Sequence, residues 1–262
     1  MTLFDAPDAL PAQVKMVVAY DGTDFSGFAA QPNQPHVKTV GGALGQAIGK
    51  VLRHPVELAC AGRTDAGVHA WGQVVSFPAI PGLDPWRLAS AVSSMLAPQI
   101  VVRSCEIVDG SFDARQSAIW RHYRYTIVNR PVPDPFRDRF TWWISDPLDL
   151  RALWLAADPF VGDHDFSSFC RKGPEGSTTM RTVHMSSWTD EGDGILRYEI
   201  RAAAFCWQMV RSIVGTLVEV GAGKRRPGEM LGIINAHERA AAGQIAPPHG
   251  LSLWEVGYAD SH

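Results

Sequence analysis

The chain has 262 residues, enough for one large domain or two of ordinary size with a substantial core. Hydrophobic residues make up 46% and charged residues 19%, a globular balance that excludes an intrinsically disordered chain. The net charge of −3 excludes a protein coated in positive charge but leaves room for a local basic patch.

No apolar run reaches membrane-spanning length, and the start, MTLFDAPDALPAQ, is acidic and broken by prolines, unlike a signal peptide. The expectation is a cytoplasmic protein without membrane contact. In chain order, VKMVVAY (14–20) reads as a strand ended by the turn DGTD. TVGGALGQAIGKVL (39–52) reads as a helix capped by Thr39, with Val40, Leu44, Ile48 and Leu52 at helical spacing. VELACA (56–61) and GQVVSF (72–77) read as strands, DPWRLASAVSSML (84–96) as a helix capped by Asp84 with Pro85 at its first position, and IVVRSCEIV (100–108) as a strand. The second half repeats that order. WRHYRYTIV (120–128) is a strand, and DLRALWLAADPF (149–160) opens as a helix and stops near Asp158-Pro159. RTVHMSSWT (181–189) and ILRYEIRAAA (195–204) make a hairpin across DEGDG. FCWQMVRSIVGTLVEVG (205–221) is a long apolar helix ended by Gly221, a short helix follows at 228–236, and LSLWEVGY (251–258) is the last strand.

Each half is therefore β-α-β-β-α-β, the ferredoxin-like order. The expected class is α+β: two such units with antiparallel sheets, joined or facing each other across a central positively charged cleft. An N-terminal extension occupies 1–12, the first unit 13–110 and the second 111–262. Three basic clusters, RHYRY (121–125), CRK (170–172) and GKRRP (223–227), make the basic face plausible. Cys60, Cys105, Cys170 and Cys206 are far apart and form no C-x-x-C pair, so they read as reduced core cysteines.

The chemistry concentrates in CAGRTDAGVHAWGQVVSF (60–77). Asp65 sits on the connection between two strands, with Gly62 and Gly67 allowing close backbone approach and Arg63 able to hold the acid ionised or reach a phosphate or base. Arg211 stands among Met209, Val210, Ile213, Val214, Leu217 and Val218, where a guanidinium is costly to bury without an anionic partner. Either it snorkels to solvent or it pairs with a carboxylate, and Asp65 is the preferred partner. Tyr123 and Tyr125 share one face of their strand, interleaved with Arg121 and Arg124, a pattern of core packing that also suits stacking on a nucleobase. Asp65 and His69 lie four residues apart, but the turn and the following strand argue against a shared metal, and both His69 and His164 (in GDHDF, beside Asp165) read as structural or hydrogen-bonding. No phosphate-binding loop, dinucleotide fingerprint or G-x-S-x-G elbow is present.

The stretch GRTDAGVHAWGQVVSF closely resembles the catalytic motif of the tRNA pseudouridine synthase A (TruA) family. YDGTDFSGF (20–28), FDARQSAIWRHYRYTIVNR (112–130), DFSSF (165–169), FCWQMVRSIVGTLVEVG (205–221) and PPHGLSLWEVGY (247–258) agree in order and spacing, so the resemblance covers nearly the whole chain. It implies a homodimer of paired ferredoxin-like units, without cofactor or metal, that isomerises uridine to pseudouridine at positions 38, 39 and 40 of the tRNA anticodon stem-loop. It assigns Asp65 as the catalytic aspartate and Tyr123 as the residue stacking on the target base. Arg63 would help displace that base, Arg211 would pair with the aspartate, and Leu251 would line the pocket. The chain departs from the family where Gly27-Phe28-Ala29-Ala30-Gln31 stands for G-W-Q-x-Q and Gly41 follows Thr39-Val40 in place of Gln, changes that bear on RNA contacts rather than on the reaction. Two other readings are a non-catalytic RNA-binding protein on the same scaffold and a metal-dependent hydrolase using Asp65 and His69.

Overall fold

A computed structural model describes residues 12–30, 36–171, 173 and 176–259. The expected N-terminal extension, but for its last residue, lies outside them, as do Gln31 and Lys172. The elements run β1 (Gln13–Tyr20), α1 (Val40–Leu52), β2 (Ala59–Cys60), β3 (His69–Pro78), α2 (Pro85–Leu96), β4 (Ile100–Val108), β5 (Ala118–Asn129), β6 (Trp142–Ile144), α3 (Leu150–Ala157), β7 (Gly162–Asp165), β8 (Met180–Asp190), β9 (Ile195–Ala202), α4 (Met209–Gly221), α5 (Met230–Asn235) and β10 (Leu251–Tyr258).

Local chemistry sets the helix starts. The Thr39 hydroxyl accepts from Gly42 N–H, and the Asp84 carboxylate accepts from Trp86 and Arg87 N–H ahead of Pro85. All strands join one mostly antiparallel sheet in the order β4-β1-β3-β10-β5-β9-β8-β7, with β2 on β3 and β6 on β5. The two halves are therefore fused edge to edge rather than facing each other. The fusion is narrow: β10 runs parallel to β3 over only Ser252–His69 and Leu253–Ala70, and antiparallel to β5 along most of its length. One apolar core runs through both halves, from Val14, Leu44 and Phe77 to Tyr125, Tyr198 and Leu217. In α4 the fully buried Met209, Ile213, Val214 and Leu217 each contribute about 1.5–3 kcal/mol of apolar burial, which is what anchors that helix.

Three elements differ from the sequence expectation. The strand expected over 56–61 shrinks to Ala59–Cys60, which meet Ser76 and Val75. Farther along β3, His69 and Ala70 pair with β10, while Val56 and Leu58 turn into the core. The helix expected from 205 begins only at Met209, because Gln208 adopts a left-handed conformation (φ 62°) that breaks the helix behind it. Gly162–Asp165, given no element in the sequence reading, form the edge strand β7, paired with β8.

Candidate active site

Asp65 sits on the loop between β2 and β3, and that loop is tied down from several sides. Gln73, fully buried on β3, donates to Gly62 C=O at 2.6 Å and accepts from Gly62 N–H at 3.3 Å. Thr64 shares a hydrogen bond of 2.8 Å with the Tyr20 hydroxyl, and its carbonyl accepts from Phe28 N–H at 3.0 Å. Gly27 carries φ 93°, and a Cβ there would stand 2.8 Å from Thr64 O, so only glycine lets the 27–28 segment lie against the loop. Gly67, at φ 76°, makes the turn after Asp65. Gly62 meets no such need, since a Cβ there would find only ordinary contacts with the Tyr123 hydroxyl and Leu253.

The second half supplies the partners of the carboxylate. Arg211 Nη1 lies 3.4 Å from Asp65 Oδ2, and Arg211 Nε donates to Ala246 C=O at 2.8 Å. Trp207 Nε1 donates to Asp65 Oδ1 at 3.0 Å. The Asp65 side chain remains 27% exposed against 14% for Arg211, so the acid is gripped from below while staying reachable. Such a carboxylate is oriented for attack on carbon or for assisting departure of an anionic leaving group.

The expected pairing of Asp65 with Arg211 is thus present. Arg63 is exposed and takes part in none of the ion pairs among the described residues, so it is not what holds Asp65. Tyr123 is buried under the loop next to Gly62, with Phe205 edge-on at 5.0 Å, and burial pushes its phenol well above the usual range. Leu251 lies two register pairs away, opposite Tyr125, while Leu253 opposite Tyr123 is the leucine that approaches Gly62. The Tyr123 hydroxyl makes no hydrogen bond among the described residues, so Tyr123→Phe is expected to keep the turnover rate of this site within about threefold, since the ring carries the contacts. A loss beyond tenfold in a single-turnover assay would give the hydroxyl a role of its own.

The basic clusters are mostly spoken for. Arg121 donates to Ala61, Ala118, Ala203 and Arg115 carbonyls, a clamp that fixes the root of the Asp65 loop. Arg124 pairs with Glu199 at 2.6 Å and lies over Trp254, and Arg225 pairs with Glu219. Arg171 is different: its guanidinium lies 4.4 Å from the ring centre of Trp207, whose indole meets the carboxylate. His69 accepts from Gly22 N–H through Nδ1 and contacts His249 O through Nε2, which uses both ring nitrogens for scaffolding; burial lowers its pKa and keeps it neutral. The metal reading of Asp65 and His69 therefore has no ligand nitrogen left. Among the described residues no group of three His, Cys, Asp or Glu is placed to hold a metal, and no helix is long and apolar enough to cross a membrane. Trp207 was missed from sequence because 205–208 read as helix; its one signal is a tryptophan four residues before Arg211.

Residues 16–115 and 156–259 match the family model described as tRNA pseudouridine synthase. The chain belongs to that family. Arg63 and Asp65 fall in the first matched segment, Trp207, Arg211 and Leu251 in the second, and Tyr123 between the two. Among curated relatives, the tRNA pseudouridine synthase A of Brevibacillus brevis is 44% identical over 248 residues, covering 94% of this chain and 99% of the relative. That of Leifsonia xyli subsp. xyli is 39% identical, covering 93% and 91%, and that of Bacillus subtilis 36% identical, covering 94% and 99%.

Proposed function

We infer that this chain is an enzyme that isomerises uridine to pseudouridine in tRNA, at positions 38, 39 and 40 of the anticodon stem-loop, with Asp65 as the catalytic carboxylate. The observation that carries the reading is Asp65 itself: a carboxylate held on both oxygens by Trp207 and Arg211, on a pinned loop that leaves it 27% exposed, in a chain of the tRNA pseudouridine synthase family. The reaction breaks the N1–C1′ bond and forms a C5–C1′ bond. A proton leaves C5 and one is gained at N1, with no net redox change and no external atom. One oriented carboxylate meets that demand.

The other roles follow the same reading. The target uridine leaves the stack at a cost of a few kcal/mol, and an aromatic contact with Tyr123 returns roughly 1–3 kcal/mol of it. Exposed Arg63 takes the vacated space or the backbone phosphates, and Leu251 contributes to the apolar wall behind Tyr123. Arg63, Arg171 and Arg211 around Asp65 support a locally positive cleft in an otherwise acidic chain. Two ferredoxin-like units, 13–110 and 111–262, are supported by the recurring strand order, β4-β1-β3 with β2 beside β3 and then β10-β5-β9-β8. A homodimer belongs to the reading through the family resemblance, and the half-exposed Trp143 and Trp154 offer apolar surface for it.

The test is single-nucleotide mapping of pseudouridine along the anticodon arm in tRNA from cells lacking the gene, with and without the wild-type chain. Restoration at 38–40 is expected. Restoration elsewhere would move the site and point to the 28–41 region, and none at all would favour an RNA-binding protein without the activity.

A further inference from the structure

Trp207 is held in a way that core packing does not explain. It is 49% exposed, so it gives up much of the burial that usually fixes a tryptophan. Left-handed Gln208 turns the chain just ahead of α4 and releases the indole from the helix surface toward the β2–β3 loop. Its Nε1–H reaches Asp65 Oδ1 at 3.0 Å, shorter than the 3.4 Å contact from Arg211 to Oδ2. The indole is fixed in turn. Its own carbonyl accepts from Arg171 N–H at 3.0 Å, and the Arg171 guanidinium covers the ring at 4.4 Å.

We propose that Trp207 is a positioning residue for the reaction: its indole N–H fixes the plane of the Asp65 carboxylate, and Arg171 fixes the indole. The proposal rests on Asp65 being the catalytic group. An indole N–H only donates; it neither accepts a proton nor competes as a nucleophile, so it can orient the acid without entering the chemistry. With one donor on each oxygen, the carboxylate cannot swing about its Cβ–Cγ bond, and its free lone pairs point in one fixed direction.

Two variants of the full chain test this: Trp207→Phe, and site-specific replacement of Trp207 by benzothienylalanine, which keeps both rings and puts sulfur where the N–H was. Single-turnover pseudouridine formation on an unmodified tRNA transcript is measured beside tRNA affinity and the unfolding midpoint. The expected result is a rate about tenfold to a hundredfold lower in both variants, the range set by losing one hydrogen bond to a charged group. Affinity should stay within about twofold and the midpoint unchanged, since a half-exposed ring contributes little to the fold. If the Phe variant is destabilised, the benzothienylalanine chain decides. A wild-type rate in that chain overturns the proposal, as does weakened tRNA binding at full rate, which would make the indole an RNA platform instead. With the wild type active, either outcome leaves the enzyme assignment standing. A wild type that makes no pseudouridine overturns both.

Discussion

Asp65→Ala is expected to fold, to bind tRNA and to form pseudouridine at least about a thousandfold more slowly than the wild type. The fold survives because the loop is held by groups other than the Asp65 side chain: Gln73 on Gly62, Tyr20 on Thr64, Phe28 on the Thr64 carbonyl. Binding survives because deleting the acid leaves Arg63, Arg171 and Arg211 in place and makes the site more positive toward phosphate. What is lost is the carboxylate that Arg211 and Trp207 orient. Release of tritium from C5 of labelled uridine in tRNA reads the step directly, because that proton leaves in every turnover. Residual release near the wild-type rate would remove Asp65 as the catalytic group. Asp65→Asn, which keeps the shape and most of the contacts, should be as inactive as Ala.

Arg211→Met should lose both stability and activity. The methionine fills the apolar surroundings of α4 but leaves the Ala246 carbonyl, on a fully buried residue, without its donor. An unsatisfied buried acceptor costs about 1–3 kcal/mol. The same change frees Asp65 Oδ2, and a pseudouridine-forming rate about a hundredfold lower is expected from a misoriented catalytic group. Arg211→Lys should recover part of the rate but little of the stability, because an ammonium can reach a carboxylate yet does not at the same time reproduce the Nε bond to Ala246. Denaturant unfolding and single-turnover rates measured on the same preparations separate the two effects. A Met variant that is both stable and active would strip Arg211 of both roles, the support of Ala246 and the orientation of Asp65.

The features legible from sequence were those decided locally or by a strong mismatch. The starts of α1 and α2 follow from Thr39, Asp84 and Pro85 alone, and β10 was bounded correctly at Leu251 and Tyr258. The Asp65–Arg211 pair was legible because a guanidinium in an apolar helix demands an anion. What escaped depends on partners far along the chain. The register of β2 carries Val56–Leu58 toward the end of β3 at Pro78, and there Val56 and Leu58 pack into the core instead of extending the ladder. Arg124 read as a base-stacking neighbour, yet its charge is taken by Glu199 on the adjacent strand and its plane by Trp254. The 205–208 segment, which closes in a turn at Trp207–Gln208, read as helix together with the apolar run that follows, although Phe205 is spent on Tyr123 and Trp207 on Asp65.

The parallel pairing of β10 with β3 also has a consequence for how the protein is made. His69 and Ser252 are separated by most of the chain, and closing so long a loop is slow compared with forming either half. Ribosomes deliver β10 after everything it joins. Until then Asp65 belongs to one half-built body and Arg211 and Trp207 to another, so a nascent chain carries the acid without its orienting donors. Activity is therefore expected to appear at the last assembly step rather than to grow with chain length, and a chain broken off before Leu251 is expected to lack it.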